Sequence, residues 1–142
     1  MKRLFAVLLA LLAGCGVQVE PPTTGQLLDA PTSLNVTGQV IRAEAAPVIS
    51  GSLFNVQVRV RTPRTLASGL RVTDVYVVTD SGVWSADVDS ADQRRCGAGC
   101  TVAVGRGVAD GVTAGEGVQV VARLVDAQGR TFLLRDGQVQ VK

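Results

Sequence analysis

The sequence predicts an all-β protein, an antiparallel sandwich of seven to eight short strands, and three observations carry that prediction. Apolar and polar residues alternate at a period of two in most of the runs that follow residue 34. Valine is abundant and 16 glycines punctuate the runs, a composition that favours strands and turns over helices. No apolar stripe of helical period and useful length follows the first 15 residues. With 142 residues the chain has room for about one core, and 46% hydrophobic residues exclude general disorder. Only 4% are aromatic, so the core must be built mainly from Val, Leu and Ala.

Leu34, Val36, Gly38, Val40 and Arg42 are expected to form a weak first strand. Phe54, Val56, Val58 and Val60 alternate with Asn55, Gln57, Arg59 and Arg61, the clearest half-buried strand in the chain. Pro63 and Ser68-Gly69 punctuate the link to a richer run, Leu70 to Thr79. Asp80-Ser81-Gly82 turns that run into Val83 to Val88, and Thr101 to Val104 is a short apolar stretch. Gly117 to Asp126 meets Thr131 to Leu134 across Asp126-Ala127-Gln128-Gly129, which reads as a hairpin turn. Asp136-Gly137 marks a bend or bulge before Val139 and Val141.

Residues 16–33 carry Pro21-Pro22, Thr23-Thr24-Gly25 and Pro31 without a sustained period and are expected to be a flexible tether. The expected organisation is thus a leader over 1–14, Cys15 and a tether over 15–33, and a sandwich domain over 34–142. Ala30-Pro31-Thr32-Ser33-Leu34-Asn35-Val36 resembles the opening strand of fibronectin type III domains. The chain departs from that family in having no tryptophan on the Phe54 strand and no tyrosine on a late strand. The resemblance therefore implies a generic immunoglobulin-like or fibronectin-like sandwich, with a small closed barrel as the alternative.

The N-terminus carries the most specific motif. Met1-Lys2-Arg3 supplies positive charge, and Leu4 to Ala13 is ten apolar residues, about 15 Å of helix. That is half a bilayer's hydrocarbon thickness and suits a secretory leader better than a membrane span. Leu12-Ala13-Gly14-Cys15 resembles the lipobox of bacterial lipoproteins. The resemblance implies cleavage before Cys15, a lipid on its thiol, and attachment to the cell envelope through that lipid. Gly16 in place of an aspartate leaves export to the outer membrane open, in a cell that has one.

The remaining chemistry is sparse. The chain has no histidine, which removes the commonest general base and zinc ligand. Cys96 and Cys100 are expected to form a disulfide in an exported protein, with Gly97 and Gly99 permitting the tight closure. Asp87, Asp89 and Asp92 are the nearest approach to a calcium constellation, but they lack the glycine and distal glutamate of a calcium loop. A solvated acidic turn beside Arg94-Arg95 is the simpler expectation. The glycine run Gly105, Gly107, Gly111 and Gly115 matches no phosphate loop and reads as a mobile loop and strand edge. Trp84 and Tyr76 are either contact residues or large core fillers.

The formal charge of +2 includes Lys2 and Arg3; without them twelve basic residues face twelve acidic ones. Nucleic acid is therefore not expected as a partner, and no cofactor is implied. The function expected is that of a non-enzymatic, envelope-anchored lipoprotein whose sandwich meets another envelope protein or cell-wall material. A small-ligand or calcium-binding module is the alternative.

Overall fold

The computed structural model describes residues 20–142; the leader, Cys15 and residues 16–19 of the expected tether lie outside the described residues. A short helix α1 (Thr24–Leu28) precedes nine strands: β1 (Leu34–Val36), β2 (Gln39–Ser50), β3 (Leu53–Arg61), β4 (Arg71–Thr79), β5 (Gly82–Asp87), β6 (Gln93–Gly97), β7 (Cys100–Val108), β8 (Gly117–Val125) and β9 (Thr131–Gln140). They form two separate antiparallel sheets, ordered β1-β2-β3-β7-β6 and β5-β4-β8-β9. With β2 as strand A, these orders are the ABED and CFG sheets of an immunoglobulin-like sandwich, β5 extending the second sheet.

The β3 alternation builds one wall of the core. Phe54, Val56, Val58 and Val60 are at most 1% exposed, and they face Val75, Val77, Val120, Leu124 and Leu134 of the other sheet. Trp84 fills the same interior edge-on to Phe54, with ring centroids 4.6 Å apart and 8% exposure. Its indole Nε1 donates to the Val108 carbonyl at 2.9 Å, satisfying the one polar atom that burial would otherwise orphan. The expected hairpin at Asp126 is present. The Asp126 carboxylate accepts from the backbone N–H of Gln128 at 3.0 Å and of Arg130 at 2.8 Å. The expected bulge is present too, since the β8–β9 register slips between Val118 and Val120 opposite Gly137 and Gln138.

Three expectations are corrected. The run from Leu34 to Arg42 is two strands, because Thr37 (φ 51°) and Gly38 (φ 79°) form a two-residue hairpin turn. After that turn β2 continues through Ala43–Ser50, a stretch that includes Pro47. Proline is tolerated there because its missing N–H belongs to the side of β2 that points away from β3. On that side the neighbouring N–H groups of Ala45 and Ile49 donate to the Asp136 carboxylate and the Lys142 carbonyl. Residues 93–97, which lie between the expected strands, are themselves an edge strand, and β7 extends past Val104 to Val108.

The third correction concerns the tether. From Thr23 onward it is folded onto the outer face of the four-stranded sheet. Thr23 and Gln26 form a reciprocal capping box that starts α1. Leu27 is 0% and Ala30 3% exposed, packed with Tyr76 and Val121. Arg135 then pins the segment, its Nε donating to the Ala30 carbonyl and its backbone N–H to the Pro31 carbonyl, each at 2.9 Å.

Candidate functional site

Cys15, the expected lipid-bearing residue, lies outside the described residues. Cys96 and Cys100 are bridged across the tip of the β6–β7 hairpin, their Cα atoms 5.0 Å apart. The bridge closes a loop whose backbone holds the crossover from β3 to β4. Gly99 O accepts from the Thr62 N–H and Ala98 O from the Leu66 N–H, both at 2.9 Å. A Cβ at position 99 would collide with the carbonyl oxygens of Thr62 and Arg64, so glycine is required by close approach. The disulfide thus shapes a joint between the sheets.

The three aspartates are not brought together. Asp87 ends β5 directly opposite Asp74 of β4, Asp89 precedes a single 3-10 turn over Ser90–Asp92, and Asp92 pairs with Arg106 at 3.5 Å. Among the described residues no group of three carboxylate or thiol side chains is close enough to hold a metal ion. The Asp74 carboxyl raises the pKa of Asp87, by hydrogen bonding to its protonated form and by its negative charge. Asp74 is in turn held by Arg123 at 3.4 Å and by the Thr73 hydroxyl at 2.8 Å.

Both large polar aromatics are fillers. Tyr76 is 6% exposed beneath the α1 segment, and Trp84 lies in the sandwich interior. Gly105 and Gly107 belong to β7, where a Cβ at Gly107 would stand 3.1 Å from the Trp84 ring. Two of the four glycines therefore make room for core side chains. Gly111 and Gly115 have positive φ (71° and 86°) in the loop that follows.

What remains is a surface that was not singled out from the sequence, the outer face of the five-stranded sheet. Register places its side chains in rows across β2, β3 and β7. At one end Ser50, Leu53 and Val108 are level, followed by Val48, Asn55 and Arg106, then Ala46, Gln57 and Val104. Further along stand Glu44, Arg59, Val102 and the β6 residue Arg94, and finally Arg42 with Arg61. Val108 is 67%, Leu53 53% and Val48 41% exposed, so one end is apolar and uncovered. The strands of this sheet carry six arginines and one acidic residue, Glu44, whereas those of the other sheet carry three of each sign. Among the described residues Arg61 pairs with Glu44 at 3.7 Å and Arg106 with Asp92, while Arg42, Arg59 and Arg94 form no ion pair. Such a face can bind anionic groups through guanidinium forks and bury aliphatic side chains beside them. No protein-family model and no curated protein matches the sequence.

Proposed function

We propose that the chain is a non-enzymatic lipoprotein of the cell envelope, anchored through Cys15, whose sandwich engages another envelope protein. The observation that carries the binding role is the unequal treatment of the two sheets. Leu27 and Ala30 of the α1 segment cover Tyr76 and Val121 of the four-stranded sheet, whereas the five-stranded sheet leaves Val48, Leu53 and Val108 in solvent at one end and the unpaired Arg42, Arg59 and Arg94 at the other. The anchoring role rests on the basic start, the ten-residue apolar run and the small residues before Cys15. One buried acyl chain binds reversibly, while the two or three that lipoproteins carry hold a protein durably. Glycine at position 16 agrees with an outer-membrane destination in a cell that has that membrane.

The test of anchoring is metabolic labelling with a radioactive fatty acid. Label in the parent chain that is lost in Cys15→Ser, together with retention of the unprocessed precursor, is the expected result. Undiminished label in the variant would overturn the anchor.

A further inference from the structure

We propose that the uncovered face of the five-stranded sheet docks an acidic segment of a partner protein, a strand-length stretch with one apolar half and one carboxylate-rich half. The match is set by the rows of the face. From Leu53 to Arg61, β3 spans eight residue steps, about 27 Å. Along that length the surface changes from the exposed apolar end at Leu53, Val48 and Val108 to the arginine end at Arg59, Arg61 and Arg94. Arg59 and Arg61 are alternate residues of one strand, so they project from the same face about 7 Å apart. Carboxylates at alternate positions of an extended partner have the same spacing, so that one meets the Nη groups of the unpaired Arg59 while the next displaces the exposed Glu44 from Arg61. Between the two ends, the amides of Asn55 and Gln57 lie in a shallow groove with Ala46 and Val104 and offer donors and acceptors to a peptide backbone.

Other occupants fit less well. A second copy would bring this basic face against its own like charge, or against an opposite sheet already covered by α1. A bilayer is the competing surface where the anchor proposed above for Cys15 holds the domain: seven residues separate Cys15 from Thr23, a reach of at most about 28 Å, which lets either face turn to the membrane, so the lipid composition is varied in the test. A phosphate polymer would satisfy the arginines but leave the apolar end without a partner.

The full chain, reconstituted in phosphatidylcholine nanodiscs, is titrated with a dye-labelled synthetic peptide joining a valine-leucine half to a half of alternating glutamates, read by fluorescence anisotropy. Saturable binding is expected, weakened about tenfold or more in an Arg59→Glu/Arg94→Glu variant and by added salt. Leu53→Ser should weaken it while leaving the salt dependence unchanged. Thermal melts of the variants confirm that the fold persists, and Arg94→Glu alone, at a sheet edge, provides a second reading. Absence of saturable binding would overturn the proposal. So would polyphosphate competing as strongly as the peptide, or loss of peptide binding in phosphatidylglycerol-rich nanodiscs, which would make the bilayer the occupant. Peptide binding that persists in a chain whose Cys15 takes no fatty acid would overturn the anchor alone and leave the docking face standing.

Discussion

Replacing Leu27 by alanine distinguishes a docked segment from a tether. Leu27 is fully buried against Tyr76 and Val121, so the substitution removes its methyl groups from an apolar site and leaves a cavity. Leu→Ala changes of this kind cost about 2–5 kcal/mol. The upper end is unreachable here for a structural reason. A helix of five residues does not persist alone, so a weakened segment detaches before the sandwich unfolds. The loss is capped at the docking free energy of residues 23–31, and about 2–3 kcal/mol is expected. Leu28, the next residue, is 40% exposed and serves as the control, with an expected change below about 0.5 kcal/mol. Urea melts of the full chain in neutral detergent measure both. Amide exchange over Gln26–Ala30 should accelerate strongly in Leu27→Ala and little in Leu28→Ala. Equal effects of the two substitutions would refute the docking of α1. Deleting the first 30 residues, a natural choice if 15–33 were only a tether, should destabilise the domain at least as much as Leu27→Ala.

Phe54→Ala should cost about 3–5 kcal/mol, because it also strips Trp84 of its edge-on partner, whereas Gln57→Ala on the opposite face of β3 should cost less than about 0.5 kcal/mol; urea midpoints compare them. Replacing both Cys96 and Cys100 by serine should lower stability by no more than about 2 kcal/mol, since the closed loop is short. Gly99→Ala, which keeps the disulfide, should cost about 1–3 kcal/mol by forcing the Thr62–Arg64 crossover away, a difference visible in thermal melts. Burial disfavours the Asp126 carboxylate, but the backbone N–H of Arg130, its guanidinium and the N–H of Gln128 prevail and hold the pKa below the usual range. A depressed carboxyl stabilises the fold above its unfolded pKa and loses that effect as pH falls through the folded value, so the Tm deficit of Asp126→Ala should narrow below about pH 4. Asp87, raised by Asp74, has the opposite sign: Asp87→Asn should match or exceed the parent Tm at neutral pH, and the advantage should vanish in acid.

The fold was legible where one face of a strand is buried and the other wet. β3 meets that condition along its whole length, and the period of two identified every buried position in it. It was illegible where burial does not alternate. β6 is exposed or half-buried throughout and gives no pattern, though the Gln93 side chain ties it to the other sheet, its Oε1 accepting from the Val72 N–H and its Nε2 donating to the Val72 carbonyl. The continuous run Val75-Tyr76-Val77-Val78 carried the missing signal for α1. A strand apolar on both sides needs cover on both sides, and here that cover is supplied by Leu27 and Ala30. The disulfide was legible from the four-residue spacing, the flanking glycines and the expected export, whereas the separation of Asp87, Asp89 and Asp92 follows from the turn between them.

Overall charge is silent on binding for a related reason. Twelve basic and twelve acidic residues remain once Lys2 and Arg3 are set aside, and a balanced count argues against an anionic partner only if the charges are mixed in space. Folding unmixes them. Arg42, the Arg59–Arg61 pair, Arg94 and Arg106 are separated in the chain, but β3 pairs with β2 on one side and β7 on the other, and β6 pairs with β7, bringing all five arginines to one face. Their natural counterions are largely elsewhere: Asp74, Asp87 and Asp136 are on strands of the other sheet, and Asp126 is occupied by its own turn. Within the sheet the compensation falls short: Glu44 stands opposite Arg59 but pairs with its diagonal neighbour Arg61, and on the other side of Arg59 the buried Val102 separates it from Arg94. Arg42 and Arg94 are exposed and lose little by having no ion pair, whereas Arg59 is half-buried with its Nε buried and unpartnered, so stability alone does not account for the segregation. A ligand that supplies the missing carboxylates would account for it, and the same ligand would cover Val48, Leu53 and Val108 at the other end of the rows.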